Sequence, residues 1–93
     1  NFFSLFISIF VLQFGAFQHC ESLEYIVIPS TVTTLDAFAF GEANSNLKIF
    51  CTQAKKPSSW DSNWNQIAIG QGRFKTYWSS QWHYDSNGEP VIN

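Results

Sequence analysis

AFQHCESLEYIVIPSTVTTLDAFAF, residues 16–40, begins and ends on the same dipeptide, Ala-Phe. Sliding the chain against itself by 23 positions sets Phe40 on Phe17, Ala39 on Ala16, Leu35 on Leu12, Val32 on Ile9, Ile28 on Leu5 and Ile26 on Phe3. An apolar phase that survives over so many positions marks stacked units, none of which can bury its apolar side alone. The first copy is degenerate, with Phe6 where the second has Pro29 and Gly15 where it has Phe38. Downstream, Leu23 recurs as Leu47, a step of 24, so the turn at residues 41–46 is expected to hold one extra residue and to re-phase the strand after it.

Within one unit, SLEYIVIP at residues 22–29 is rich in β-branched and aromatic side chains and stops at a proline, which predicts a short strand. STVTTLD at 30–36 reads as an extended return leg with Val32 and Leu35 inward. AFAF then carries Phe38 and Phe40 toward the core in a tight turn or a single helical turn. A unit this long is too short for paired helices and suits a leucine-rich-repeat-like coil. The expected contacts are Leu5 with Ile28, Leu12 with Leu35 and Phe17 with Phe40, on adjacent coils at the roughly 4.7–4.9 Å spacing of neighbouring strands.

The 93 residues form one small domain or a piece of a larger protein, and the opening Asn1, which is not a methionine, favours a piece. With 45% hydrophobic and 18% aromatic residues against 13% charged, the chain is too apolar to stay disordered. A net charge of −2 argues against a nucleic-acid partner, which needs a surplus of clustered Lys and Arg. All five basic residues fall between Lys48 and Lys75 and are read as a mildly positive, solvated surface. Residues 2–17 are almost entirely apolar, which leaves a membrane span or a signal-peptide core as alternatives to a degenerate coil. Against both, Ser4, Ser8, Gln13 and Gly15 break the run, and a span needs about 20 apolar residues.

The quoted stretch resembles the BspA-type leucine-rich repeat, whose units read approximately A-F-x-x-C-x-S-L-x-x-I-x-I-P-x-x-V-T-x-I-x-x-x-A-F. Ala16, Phe17, Cys20, Ser22, Leu23, Ile26, Ile28, Pro29, Val32, Thr33, Ala39 and Phe40 stand on motif positions, with Leu35 in place of isoleucine. NLKIFCTQAKKPSSWDSNWN at 46–65 is similar to the segment that ends such arrays, and QWHYDSNGEPVIN at 81–93 to a tail found in some members. The resemblance covers roughly residues 15–93 and departs from the family where the turn at 41–46 lacks the expected cysteine. It implies a mainly β fold: a leucine-rich-repeat solenoid of about two to three coils with parallel strands, then a Trp-rich cap and a C-terminal β-hairpin. Residues 1–52 would hold the coils, and residues 53–93 the cap and tail. It further implies a cell-surface or secreted, non-enzymatic adhesion module whose partner is a protein or host-surface ligand, with no cofactor and no catalytic residues. Cys20 maps onto a position that packs in the turn.

An open coil end must be covered, and KKPSSWDSNWN at 55–65 suits that role. Pro57 is expected to open a short helical turn, Ser58 or Ser59 to cap it, and Trp60 and Trp64 to share one face. The alternative function is carbohydrate binding on a platform of Trp60, Trp64, Trp78 and Trp82, with Asp61 and Asn63 as hydrogen-bonding neighbours; it requires at least two of the rings to be exposed and coplanar. Trp82–Ile92 alternates about Asn87-Gly88, a strong hairpin signal because both residues tolerate positive φ.

Asp85, Asn87 and Glu89 lack the remaining ligands of a calcium loop, and His19 and His83 stand in no zinc spacing, so no metal is expected. A hydrolase would need His83, Asp85 and Cys20 or Cys51 to converge, which no spacing favours. Cys20, in a turn, and Cys51, in a strand one coil on, are expected to stay unbridged, beyond the roughly 7 Å Cα limit of a disulfide.

Overall fold

Every side chain of Tyr25–Ile28 is aromatic or β-branched, stiff at χ1 and suited to a pleated surface, and these four residues form a strand. A computed structural model describes residues 11–12, 24–41, 45–68 and 70–93. Its elements are β1 (Val11–Leu12), β2 (Tyr25–Ile28), β3 (Thr34–Leu35), β4 (Lys48–Cys51), β5 (Lys75–Tyr77), a 3-10 turn (Ser79–Gln81), β6 (Trp82–Tyr84) and β7 (Pro90–Ile92). The protein is thus mainly strand and coil. Among the described residues β1 and β3 pair in parallel, β2–β4–β5 form a parallel sheet in that order, and β6–β7 are antiparallel.

The 23-residue period is present as strand register. Leu12 lies opposite Leu35, as the repeat requires, and Val11 opposite Thr34. Leu5 and Phe17, the other expected contacts, lie outside the described residues, as does Cys20. In the neighbouring sheet Ile26 faces Ile49 and Ile28 faces Cys51, again 23 apart, so the strand after the 41–46 turn is not re-phased. A slip of one residue would turn Ile49 and Cys51 away from the core, because side chains alternate with a period of two. The strand therefore follows the burial of these two residues, and Leu47, also buried, precedes it.

A third parallel strand, unanticipated from the sequence, extends this sheet: β5 places Lys75 opposite Lys48 and Tyr77 opposite Phe50, a step of 27. The intervening segment reuses the local geometry of the preceding unit. Pro29-Ser-Thr-Val32 closes with the Val32 amide donating to the Pro29 carbonyl (3.2 Å), and Pro57-Ser-Ser-Trp60 closes with the Trp60 amide donating to the Pro57 carbonyl (3.1 Å). The expected helical turn at Pro57 is thus a tight turn. Ser59 does not cap it, since its hydroxyl donates to the Thr33 carbonyl.

Residues 59–63 run beside β3, with the Asp61 amide on the Leu35 carbonyl (2.8 Å) and the Phe38 amide on the Asn63 carbonyl (3.0 Å). AFAF forms a tight turn in which Phe38 takes a left-handed φ of 57°, and Phe40 is buried while Phe38 is half-buried. Gln53 ties three levels together. Its side-chain amide donates to the Pro29 carbonyl (3.0 Å), and its own carbonyl accepts from the Ser79 amide (3.0 Å).

Two apolar clusters result among the described residues. The larger holds Ile26, Ile28, Val32, Leu35, Phe40, Leu47, Ile49, Trp60, Trp64 and Phe74. The smaller, on the opposite face of β2–β4–β5, is Val27, Phe50 and Trp82 with Tyr25 and Tyr77 against them. Asn65, the buried polar residue, is satisfied: it donates to the Thr76 hydroxyl (2.9 Å) and accepts from the Arg73 guanidinium (2.6 Å). Arg73 also reaches the Ser62 carbonyl (2.9 Å), so this member of the basic stretch fastens the 62–65 turn.

The unexpected β4–β5 pairing is directly testable. Neighbouring strands stand about 4.7–4.9 Å apart, within the Cα range of a disulfide. Lys48→Cys with Lys75→Cys should therefore oxidise readily in a Cys20→Ser background, whereas Lys48→Cys with Lys55→Cys should not. Peptide mapping of the oxidised product reads the result; failure of positions 48 and 75 to cross-link would reject the register.

Candidate functional site

Alternation along the parallel strands sorts side chains into two sets. Ile26, Ile28, Ile49 and Cys51 join the inner cluster, and Tyr25, Val27, Phe50 and Tyr77 the outer one. On the outer face, Phe50 stacks on Tyr77 (5.3 Å between centroids) and meets Tyr25 edge to face (5.9 Å). The hairpin lies against this aromatic row. Trp82 packs on Phe50 at 5.3 Å, donates its indole N–H to the Cys51 carbonyl (2.9 Å), and takes Tyr84 edge-on at 5.0 Å.

The hairpin expected about Asn87-Gly88 is formed by antiparallel β6 and β7. Asp85–Gly88 is closed by the Gly88 amide on the Asp85 carbonyl (3.0 Å), the Asp85 amide reaches the Glu89 carbonyl (2.8 Å), and of the two residues Gly88 alone has positive φ, 78°. The Asp85 carboxylate accepts from the Asn87 and Glu89 amides (2.8 and 3.0 Å), so the turn occupies it. The Asn93 amide donates to the Gln81 carbonyl (2.9 Å), which ties the end of the hairpin to the 3-10 turn.

Between the sheet and the hairpin lies a cleft of about 220 Å³, lined by Glu24, Tyr25, Lys48 and Phe50 on one side and by Glu89, Pro90 and Ile92 on the other. Burial raises the Tyr84 phenol above its ordinary pKa, and the neighbouring Tyr25 adds to the shift. Half-exposed Tyr84, Val91 and Ile92 extend the apolar surface along the hairpin.

The four tryptophans that the carbohydrate alternative would set on one platform are divided between the two clusters. Trp60 and Trp64 are each 2% exposed and meet edge to face at 4.9 Å; half-buried Trp78 packs on both, at 6.1 and 6.0 Å. Trp82, 7% exposed, stands on the other face of the sheet. The two exposed, coplanar rings that a sugar platform needs are absent from this set, because covering the inner core recruits three of the indoles. Glu89 was weighed only as a calcium-loop ligand and Glu24 not at all, and Tyr25, Phe50 and Tyr77 were not read as site residues. The signal for them was apolar residues at the outward positions of strands whose inward positions were already apolar.

Among the groups a hydrolase would have needed, His83 bonds Asn93 through Nδ1, Asp85 serves its own turn, and Cys51 carries a free thiol inside the inner cluster. No three His, Cys, Asp or Glu among the described residues are placed to hold a metal ion, and no described helix is long and apolar enough to cross a membrane. Compared with protein-family models, curated proteins and solved structures, the chain matches none.

Trp60 and Trp64 together should be essential for stability. Replacing both by Ala should cost several kcal/mol in denaturant unfolding, given about 3–5 kcal/mol for each large aromatic removed from a core. Trp60 Nε1–H is buried without a partner among the described residues. Since an unmade hydrogen bond costs about 1–3 kcal/mol, Trp60→Phe, which deletes the donor and keeps a ring, should lose much less than Trp60→Ala. An unchanged melting curve for the double Ala variant would reject the packing account.

Burial also pushes the Cys51 thiol far above its ordinary pKa. The folded state keeps that proton where the unfolded chain releases it, so the stabilisation is complete below the unfolded value of about 8.5 and is lost as pH rises beyond it. Cys51→Ala should flatten the alkaline fall in stability by up to about 1.4 kcal/mol per pH unit. Parallel pH profiles for the two proteins would contradict this.

Proposed function

We propose that the chain is the carboxyl-terminal end of a BspA-type leucine-rich-repeat solenoid, serving as a non-enzymatic protein-binding and adhesion module of a cell-surface or secreted protein. The 23-residue register of β1–β3 and β2–β4 supports the repeat, and the recurrence of the Pro29 turn at Pro57 supports a final, altered coil. The buried Trp60 and Trp64 suit the closure of such an array, where a further coil would otherwise stack.

The observation that carries the binding role is the outer face of the parallel sheet. Its aromatic row is only partly covered by the hairpin, and the uncovered remainder forms a charged-rimmed cleft continuous with exposed Ile92. Such a surface, apolar at the centre and charged at the rim, has the anatomy of a protein interface. The non-enzymatic reading is supported by the placement of the described candidates, Cys51 in the inner cluster and His83 on Asn93, while Cys20 lies outside the described residues.

Selection of a displayed random peptide library on the immobilised chain, beside a glycan array, separates this reading from its carbohydrate alternative. The expected result is peptides whose binding is lost in Tyr84→Ala with Ile92→Ser, and no retained glycan. A glycan ligand without any such peptide would overturn it.

A further inference from the structure

Asn87 is the one asparagine of the chain that precedes a glycine, and the pair lies exposed in the turn between β6 and β7. We propose that Asn87 is a modification site: in the folded chain it converts, without an enzyme, to isoaspartate and aspartate, which loosens the turn end of the hairpin.

The reaction needs a main-chain amide that can reach the carboxamide carbon of the residue before it. A side chain on the attacking residue hinders that approach, and glycine has none. Gly88 has a φ of 78°, and apart from its chain neighbours nothing lies within 4 Å of where a Cβ would stand, so its nitrogen is open on that side. The Asn87 main-chain amide is held by the Asp85 carboxylate, but its carboxamide has no hydrogen-bond partner among the described residues. One bond opposes attack, from the Gly88 amide to the Asp85 carbonyl (3.0 Å). It lies in an exposed turn, where local opening costs little. Asn63 and Asn65 show the contrast. They precede Trp64 and Gln66; the Asn63 carboxamide oxygen accepts from Gln66 (3.1 Å), and Asn65 is buried with its carboxamide bonded to Thr76 and Arg73.

Hydroxide takes the Gly88 amide proton, the nitrogen bonds to Asn87 Cγ, and the Cγ–Nδ2 bond breaks as ammonia leaves with a proton from water. Water then opens the succinimide. Breakage at Cγ gives aspartate; breakage at the main-chain carbonyl carbon gives isoaspartate, whose backbone runs through Cβ and Cγ and is longer by a methylene. The sum is asparagine and water giving the acid and ammonia, with nothing oxidised or reduced.

Two bonds span the inserted carbon, from the Gly88 amide to the Asp85 carbonyl and from the Glu89 amide to the Asp85 carboxylate. The new carboxylate also adds like charge between Asp85 and Glu89. Glu89 and Pro90 belong to the hairpin wall of the cleft, so conversion displaces that wall, while Trp82, at the far end of the hairpin, keeps its bond to the Cys51 carbonyl.

The test incubates the full chain in mildly alkaline buffer, folded and in parallel in denaturant, and follows each asparagine by peptide mapping and by enzymatic methylation of isoaspartyl carboxylates. In the folded chain Asn87 should convert about tenfold or more faster than Asn63 or Asn65, with isoaspartate the major product. In the converted chain the Asp85 amide, which donates to the Glu89 carbonyl, should lose its protection from hydrogen exchange, and the Trp82 indole N–H should keep its own. Asn87→Gln, which retains a carboxamide but must close a larger ring, should show neither change over the same period. Conversion in denaturant alone, equal conversion at Asn63 or Asn65, or an Asp85 amide still protected after conversion would each overturn the inference.

Discussion

Parallel pairing of β2 with β4, with Ile26 on Ile49 and Ile28 on Cys51, is the constraint from which the rest of the structure follows. Parallel sheets are stable when both faces are covered, and their strands then read as nearly continuous apolar runs. YIVI and KIFC have that composition. One face is covered by Leu35, Phe40 and the Trp60–Trp64 pair; the other is covered in part by Trp82, brought back by the hairpin. A single requirement, apolar cover for both sides of a three-stranded sheet, complete on the inner face and partial on the outer, thus accounts for the two clusters and for the position of the C-terminal segment.

The segment before β5 carries larger inward side chains than the one before β4. Trp60 follows the Pro57 turn where Val32 follows the Pro29 turn, and Trp64 meets Phe40 edge to face at 6.4 Å. Larger rings thus occupy the inner positions beside β5. That strand is only three residues long and begins with exposed Lys75, features that limit edge-to-edge pairing of the kind that aggregates sheets. Arg73 and Asn65 lock the turn beside it through bonds to side chains and carbonyls. The hairpin then uses a backbone acceptor, the Cys51 carbonyl, to hold Trp82 in place.

Periodicity made the Leu12–Leu35 register and the β2 strand legible, because apolar identity at a fixed spacing is written directly in the residues. Packing roles were legible at Trp60 and Trp64, whose size demands burial, although the turn that presents them is not helical. The β5 strand was hidden because KTY is short and the step to it is 27 rather than 23. The strand after the 41–46 turn was misread because Leu47, a buried residue just outside the strand, was aligned with Leu23 in place of the alternation that sets Ile49 and Cys51 inward. The cleft was invisible because its two walls come from opposite ends of the described chain, Glu24–Tyr25 and Glu89–Pro90. Only the docking of Trp82 brings the hairpin onto the sheet.

Inter-strand nuclear Overhauser effects measured on isotope-labelled protein test the parallel register most directly. The account requires backbone contacts that run Ile26 to Ile49 to Thr76 and Val27 to Phe50 to Tyr77, in parallel order. Contacts of Ile26 with Phe50, which a 24-residue step would produce, or an antiparallel pattern between β4 and β5, would contradict it.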